Sequence, residues 1–274
     1  MRDTSDRATR PASWIHYLLI ALALLGLALF LLPLLGLSLR ALAGAGLAGL
    51  SSPPVLAALR LSLLTSLSAT ALALVLGFPL AWVLARLEFP GRRLLRALVT
   101  LPMVLPPVVA GVALLSVFGR RGLLGPALSA LGIELAFTSG AAILAATFVA
   151  APFLVVSLEA GLERVDPRLE QAAATLGASP ARILWTVTLP ALRPSLRAGL
   201  ALCWARALGE FGATITFAGN YSGRTQTLPL AVYEALQSDH EGALALSLLL
   251  LLVSLALLVA LRGQLDPNRA EAPR

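Results

Sequence analysis

The chain has 274 residues, 58% of them hydrophobic and 13% charged, about half the roughly 25% charge usual in soluble domains. Its 21 basic residues are all Arg, set against 14 acidic residues, two His and one Cys, for a net charge of +7. This excludes a soluble globule, a P-loop or Schiff-base enzyme, both of which need Lys, an intrachain disulfide, and a zinc site of three or four nitrogen and sulfur ligands.

The basic balance on so apolar a chain reads as Arg anchoring of membrane spans. No nucleic-acid-binding module is present. Apolar runs near the roughly 20 residues that cross hydrocarbon stand at 15–39, 61–85, 97–118, 138–158, 198–219 and 242–261. The polar ends, 1–13 and 262–274, read as tails flanking a single transmembrane domain over 14–261. Six spans put both termini on one side, and with that side cytoplasmic the inner segments hold 15 Arg and the outer ones five, which sets the orientation. The first run is too long for the 7–15-residue apolar region of a signal peptide and reads as a retained helix. Trp14 and Tyr17 at its start read as interfacial anchors, with His16 beside them at the same level.

In the third run, Pro102, Pro106 and Pro107 remove amide donors and predict a kinked helix, a candidate gate element. The segment 159–197 is the longest between spans and carries the clearest local signals. Asp166 before Pro167 is an N-cap and first helical residue. Leu169, Ala172, Ala173 and Leu176 follow on one face, and Gly177 supplies a left-handed stop. Ser179 and Pro180 repeat the start signal, and the second helix, 181–189, is expected to end at Pro190. Two short helices joined at a glycine make a rigid protrusion; from spacing alone it either docks a soluble partner or links two spans.

The fifth run contains RALGEFGATITFAGN, Arg206 to Asn220. Arg206 and Glu210 are four apart on a helix, so their side chains are expected to meet; the pair either rearranges with a gate or is a static lock near the interface. Thr214, Thr216 and Asn220 either offer donors along a path or bond within the bundle. Gly209 and Gly212 are expected on one helix face against a neighbouring helix. Cys203 reads as a small packed hydrophobe.

The string EQAAATLG at Glu170 to Gly177, followed after nine residues by VTLP at Val187 to Pro190, resembles the EAA motif of ABC-importer permeases. Gln171 and Val187 depart from the motif's Glu and Ile. The resemblance covers 57–261 and implies an all-α integral membrane protein of about six transmembrane helices, with the type I ABC importer permease fold and cytoplasmic coupling helices. It implies that Glu170, Gln171, Ala172, Ala173, Gly177, Val187, Leu189 and Pro190 couple to an ATPase. Arg206 to Asn220, GRTQTLPLAVY at 223–233 and LPMVLPPVVAG at 101–111 are similar to the molybdate branch of oxyanion permeases, with tungstate inseparable and sulfate or thiosulfate permeases also alike. On that basis Pro106, Pro107, Arg206, Glu210, Phe211, Thr214, Thr216 and Asn220 are candidates for the pathway or gate. The resemblance further implies a second copy of the chain, two ATPase subunits that carry ATP and Mg, an extracytoplasmic oxyanion-binding protein, and no cofactor, metal or catalytic residue on this chain. A transporter driven by an ion gradient is the rival class; its sole intramembrane carboxylate candidate is Glu210.

Overall fold

A computed structural model describes residues 14–265, so both tails lie almost wholly outside the described residues. Among these, the regular structure is helical: α1 Trp14–Ala43, α2 Pro53–Arg86, α3 Arg92–Thr100, α4 Pro107–Phe118, α5 Gly125–Ala130, α6 Ser139–Arg164, α7 Pro167–Thr175, α8 Pro180–Ile183, α9 Leu189–Leu208, α10 Gly212–Phe217, α11 Leu228–Ser238 and α12 His240–Leu265. Short 3₁₀ turns occupy Ala45–Ser51 and Leu101–Met103, and a π turn occupies Leu184–Thr188.

The core is a bundle of α2, α6 and α9, and small residues explain why these three meet. Along α2 the buried positions before Leu84 are Ala58, Ser62, Thr65, Ser66, Ala69, Ala73, Gly77 and Ala81, mostly three or four apart, so that one face lacks bulk over that length. The facing stripe of α6 includes Ala141, Ala142, Ala145, Ala146 and Ala150. Against α9 the fit is reciprocal: a Cβ on Gly161 would stand 2.6 Å from Leu192 Cδ1, and one on Gly199 would stand 2.8 Å from Ser157 Cβ. Hydroxyls complete the seams. Trp204 Nε1 donates to Ser66 Oγ at 3.0 Å, and the Leu228 amide donates to Ser62 Oγ at 2.7 Å, capping α11 from α2. Cys203 is fully buried in this core, as expected of a packed hydrophobe.

α1 stands apart from that core, exposed along nearly its whole length and packed mainly against α12. Lipid is the solvent for such a surface. Trp14 and Tyr17 project from its first turn, as interfacial anchors do.

Two of the six expected spans are broken. The run 97–118 is two helical pieces, Arg92–Met103 and Pro107–Phe118, bent by 114°, far more than a proline kink. α4 can begin afresh because Pro106 and Pro107 occupy its N-cap and first position, where a missing amide costs nothing. The run 198–219 is also discontinuous, since α9 stops at Leu208 and α10 starts at Gly212. Thus among the described residues four helices, α1, α2, α6 and α12, are long and apolar enough to cross a membrane unaided, and the bent pair makes a fifth span if counted as one. α9 falls short on composition because it carries Arg193, Arg197 and Arg206, yet it lies along α2 and α6 with their small-residue faces against it.

Candidate functional site

Two regions hold the residues singled out from the sequence: a helical hairpin at one end of the bundle, and a pair of facing helix breaks within it. The hairpin forms as its capping signals require. Asp166 Oδ1 accepts from the Arg168 amide at 2.9 Å and Ser179 Oγ accepts from the Arg182 amide at 3.3 Å. Between the two caps, the Ala178 amide reaches Ala173 O at 3.1 Å and the Gly177 amide reaches Ala174 O at 2.9 Å. This pair of bonds is a Schellman closure, and it needs the positive φ of +81° found at Gly177.

The end of the second arm differs from the expectation. Pro190 does not stop the chain: α8 passes through the π turn, which holds Val187, and continues as α9 from Leu189. The wider π turn resets the hydrogen-bond ladder, so Pro190 falls in the first turn of α9, where no intrahelical donor is required.

Side chains on the hairpin divide into two sets. Glu170 turns inward. Its Oε1 accepts from Arg86 Nη2 at 2.9 Å, at the end of α2, and from Thr188 Oγ1 at 2.7 Å, in the π turn. One carboxylate oxygen therefore ties α7 to α2 and to the root of α9. Gln171 and Ala172 are exposed, and Ala173 is half-buried. Among the described residues the leucines of the predicted apolar face of α7 are left uncovered: Leu169 is exposed and Leu176 is 88% exposed, and Trp185 in the π turn is 70% exposed.

A second charged cluster, not singled out from the sequence, stiffens the same end. Arg92 and Arg96 lie four apart on α3, opposite Glu159 and Glu163, four apart on α6. Arg96 Nε donates to Glu159 Oε1 at 2.8 Å, its Nη2 reaches the same oxygen and also Glu163 at 3.4 Å, and Arg92 stands 3.6 Å from Glu163. Glu159 is buried; a carboxylate at the end of an otherwise apolar run is the sequence signal that could have pointed to a partner.

Deeper in the bundle, the breaks at 104–106 and 209–211 face one another. A Cβ on Gly212 would stand 2.7 Å from Pro107 Cβ, and one on Gly111 would stand 2.6 Å from Thr216 Cβ and 2.9 Å from Ala213 O. α4 and α10 thus pack backbone against backbone, and Phe118 and Phe217 meet further along at a centroid distance of 6.4 Å. Gly209 takes no part in this. It caps the end of α9 and is exposed, so the two glycines do not share a helix face.

Arg206 and Glu210 are paired, with Nη1 2.8 Å from Oε2, although no continuous helix joins them. Arg206 sits in the last turn of α9, where carbonyl ends favour a cation. Glu210 Oε1 accepts from the Ala213 amide at 2.8 Å and so caps the start of α10. The Phe211 ring, next along the break, rests on Tyr233 of α11 at 5.1 Å.

The polar residues further on are engaged internally. Thr216 Oγ1 donates back to Gly212 O at 2.9 Å, and Thr214 is buried. Asn220 Nδ2 donates to Glu234 Oε2 at 2.8 Å, and the same oxygen accepts from Gln226 Nε2. One N–H of the Asn220 amide is thus given to Glu234. Among the described residues no group of three or more His, Cys, Asp or Glu could hold a metal ion.

The likenesses of the chain agree with this geometry. Residues 77–270 match the family described as binding-protein-dependent transport system inner membrane component. The molybdenum transport system permease protein of Mycobacterium tuberculosis is 50% identical over 205 residues, covering 75% of this chain and 78% of that one. The sulfate transport system permease protein of Escherichia coli is 39% identical over 213 residues, covering 77% of each. The fold is shared with a chain of a bacterial ABC transporter involved in the import of the acidic polysaccharide alginate, at a TM-score of 0.72 and 18% identity over 94% of this chain and 96% of that one. An apolar helical bundle, a hairpin with an uncovered face and a family match over most of its length lead to one conclusion: the chain belongs to the binding-protein-dependent transport system inner membrane component family.

Proposed function

We propose that this multi-pass membrane protein is the permease subunit of an ABC importer for molybdate. The observation that carries the coupling role is the bare apolar face of α7, where Leu169 and Leu176 project with Trp185 from a hairpin capped at both starts and locked at its glycine corner. A linker would not hold an apolar face rigidly in water. A docking element would, and two such hairpins, one from each copy of a homodimer, suit two ATPase subunits. Closure of the ATPase dimer on ATP and Mg would draw the hairpins together and reorient the bundle. Glu170 passes that movement to α2 through Arg86 and to α9 through Thr188.

The Arg distribution supports placing the hairpin and both termini in the cytoplasm. The opposite end then receives the extracytoplasmic binding protein. Molybdate is the substrate because the molybdenum permease relative is 50% identical where the sulfate relative is 39%. The test is ATP-dependent uptake of labelled molybdate by proteoliposomes holding this chain, its ATPase and its binding protein, with tungstate and sulfate in competition. Uptake blocked by tungstate at low concentration and by sulfate only in large excess is the expected result; sulfate competing as well as tungstate would overturn the substrate, and uptake without ATP would overturn the class.

A further inference from the structure

Arg206 and Glu210 are unequally committed. Glu210 is spent on both oxygens, with Oε1 on the Ala213 amide and Oε2 facing Arg206 at 2.8 Å in a charge contact that lacks hydrogen-bond geometry. Among the described residues Glu210 is the one ion partner of the Arg206 guanidinium, and the five N–H donors are otherwise unspent. The Glu210 side chain is 2% exposed and that of Arg206 is 29% exposed.

The pair lies at membrane depth. The neighbouring Trp204 is bonded to Ser66, midway along α2, and Gly199 is packed on Ser157 in α6. An arginine presented to lipid chains at that level costs several kcal/mol, and a broken backbone at depth persists only against protein or a water-filled path. Among the described residues, the exposed part of the Arg206 side chain is the charged surface that this break leaves uncovered.

We propose that Arg206 is a transient contact for the tetrahedral oxyanion in transit, and that Glu210 is a positioning residue that keeps the contact weak. This rests on oxyanion import as proposed above. A guanidinium offers parallel N–H pairs to two oxygens of an oxyanion, and it reads charge and oxygen geometry, not the central atom. Molybdate, tungstate and sulfate are all met in the same way, so selection among them falls to the binding protein. Alone, Arg206 would hold a dianion. Glu210, fixed by the Ala213 amide so that it cannot swing aside, half-neutralises the guanidinium and repels the passing anion, which favours release.

The experiment uses the complex of permease and ATPase in lipid nanodiscs without binding protein, and measures retention of labelled molybdate by equilibrium dialysis. Glu210→Gln keeps an acceptor for the Ala213 amide while removing the charge. It is expected to retain molybdate at least tenfold more tightly than the unaltered complex, with sulfate displacing the label, and the double change Arg206→Met with Glu210→Gln is expected to lose that gain. Equal retention by the single and double variants, or no gain in the single one, overturns the proposal. Arg206→Lys provides an arm that does not depend on Glu210: it keeps the charge but not the paired donors, so uptake is expected to fall several-fold while ATPase co-purification is unchanged, and unchanged uptake overturns the proposal. Absence of ATP-dependent molybdate uptake by the unaltered complex with its binding protein would instead defeat the import reading.

Discussion

At the scale of single residues, Gly177 and Glu170 do opposite work in the hairpin. Gly177 has open space around it but a φ of +81°, so the obstacle to a side chain there is backbone conformation and not crowding. Gly177→Val carries a strain of roughly 1–3 kcal/mol and is expected to re-aim α7; the chain should reach the membrane at normal level yet co-purify poorly with its ATPase and import little molybdate. Normal co-purification, ATP hydrolysis and uptake would return the hairpin to the status of a linker. Glu170→Ala leaves half-buried Arg86 without its carboxylate and Thr188 without its acceptor, a loss of roughly 1–3 kcal/mol. Hydrogen exchange across 167–176 should quicken while that of α6 holds steady; equal protection in both forms would show that the tie to α2 is idle. The positions of Asp166, Gly177 and Ser179 were legible in the sequence because capping is decided within four or five residues. The inward turn of Glu170 was not, because Arg86 is 84 residues away and no local pattern links them.

At the scale of elements, the breaks show where local reading succeeds and fails. Consecutive prolines announced a kink before α4 but not a full break of 114°, which follows because two missing amides can be placed without loss only at a helix start. The break before α10 was overlooked because Arg206 and Glu210 have the spacing of a helical pair, and the pairing does occur. α9 ends at its Gly209 cap, and the Glu210 carboxylate then bonds forward to the Ala213 amide to start α10, a competition between cap and helix that spacing cannot resolve. Pro190 was misjudged for the converse reason: the π turn ahead of it moves the proline from a helix end to a helix beginning. The contact between α4 and α10 supports a further prediction. Gly111→Leu places a branched side chain where even a Cβ lies 2.6 Å from Thr216 Cβ, and overpacking of this kind costs about 1–3 kcal/mol. The purified complex is expected to melt at a lower temperature; an unchanged transition would mean that the two half-helices separate freely.

At the scale of the whole molecule, fold class and family were legible because an apolar composition without Lys leaves few alternatives and because the hairpin motif is local. The number of uninterrupted spans was not, since a bundle can shelter a helix such as α9 whose three arginines would bar it from crossing alone. Orientation is open to direct test, and full burial of Cys203 makes the native chain a quiet background for thiol labelling. Ala178→Cys should react only with reagents admitted to the cytoplasm, and Arg121→Cys and Arg224→Cys with impermeant reagents outside; labelling at 178 from outside intact cells would invert the topology. The π turn has one more effect, on mechanical advantage. α8 runs through it into α9 with no non-helical residue between them, so 180–208 is one uninterrupted helical stretch of 29 residues, up to about 43 Å long at 1.5 Å per residue. Tilting a stretch of that length by about 5° about its hairpin end swings the other end by about 4 Å, so under the coupling proposed above a small angular stroke at an ATPase would become a displacement wider than a water molecule beside Arg206.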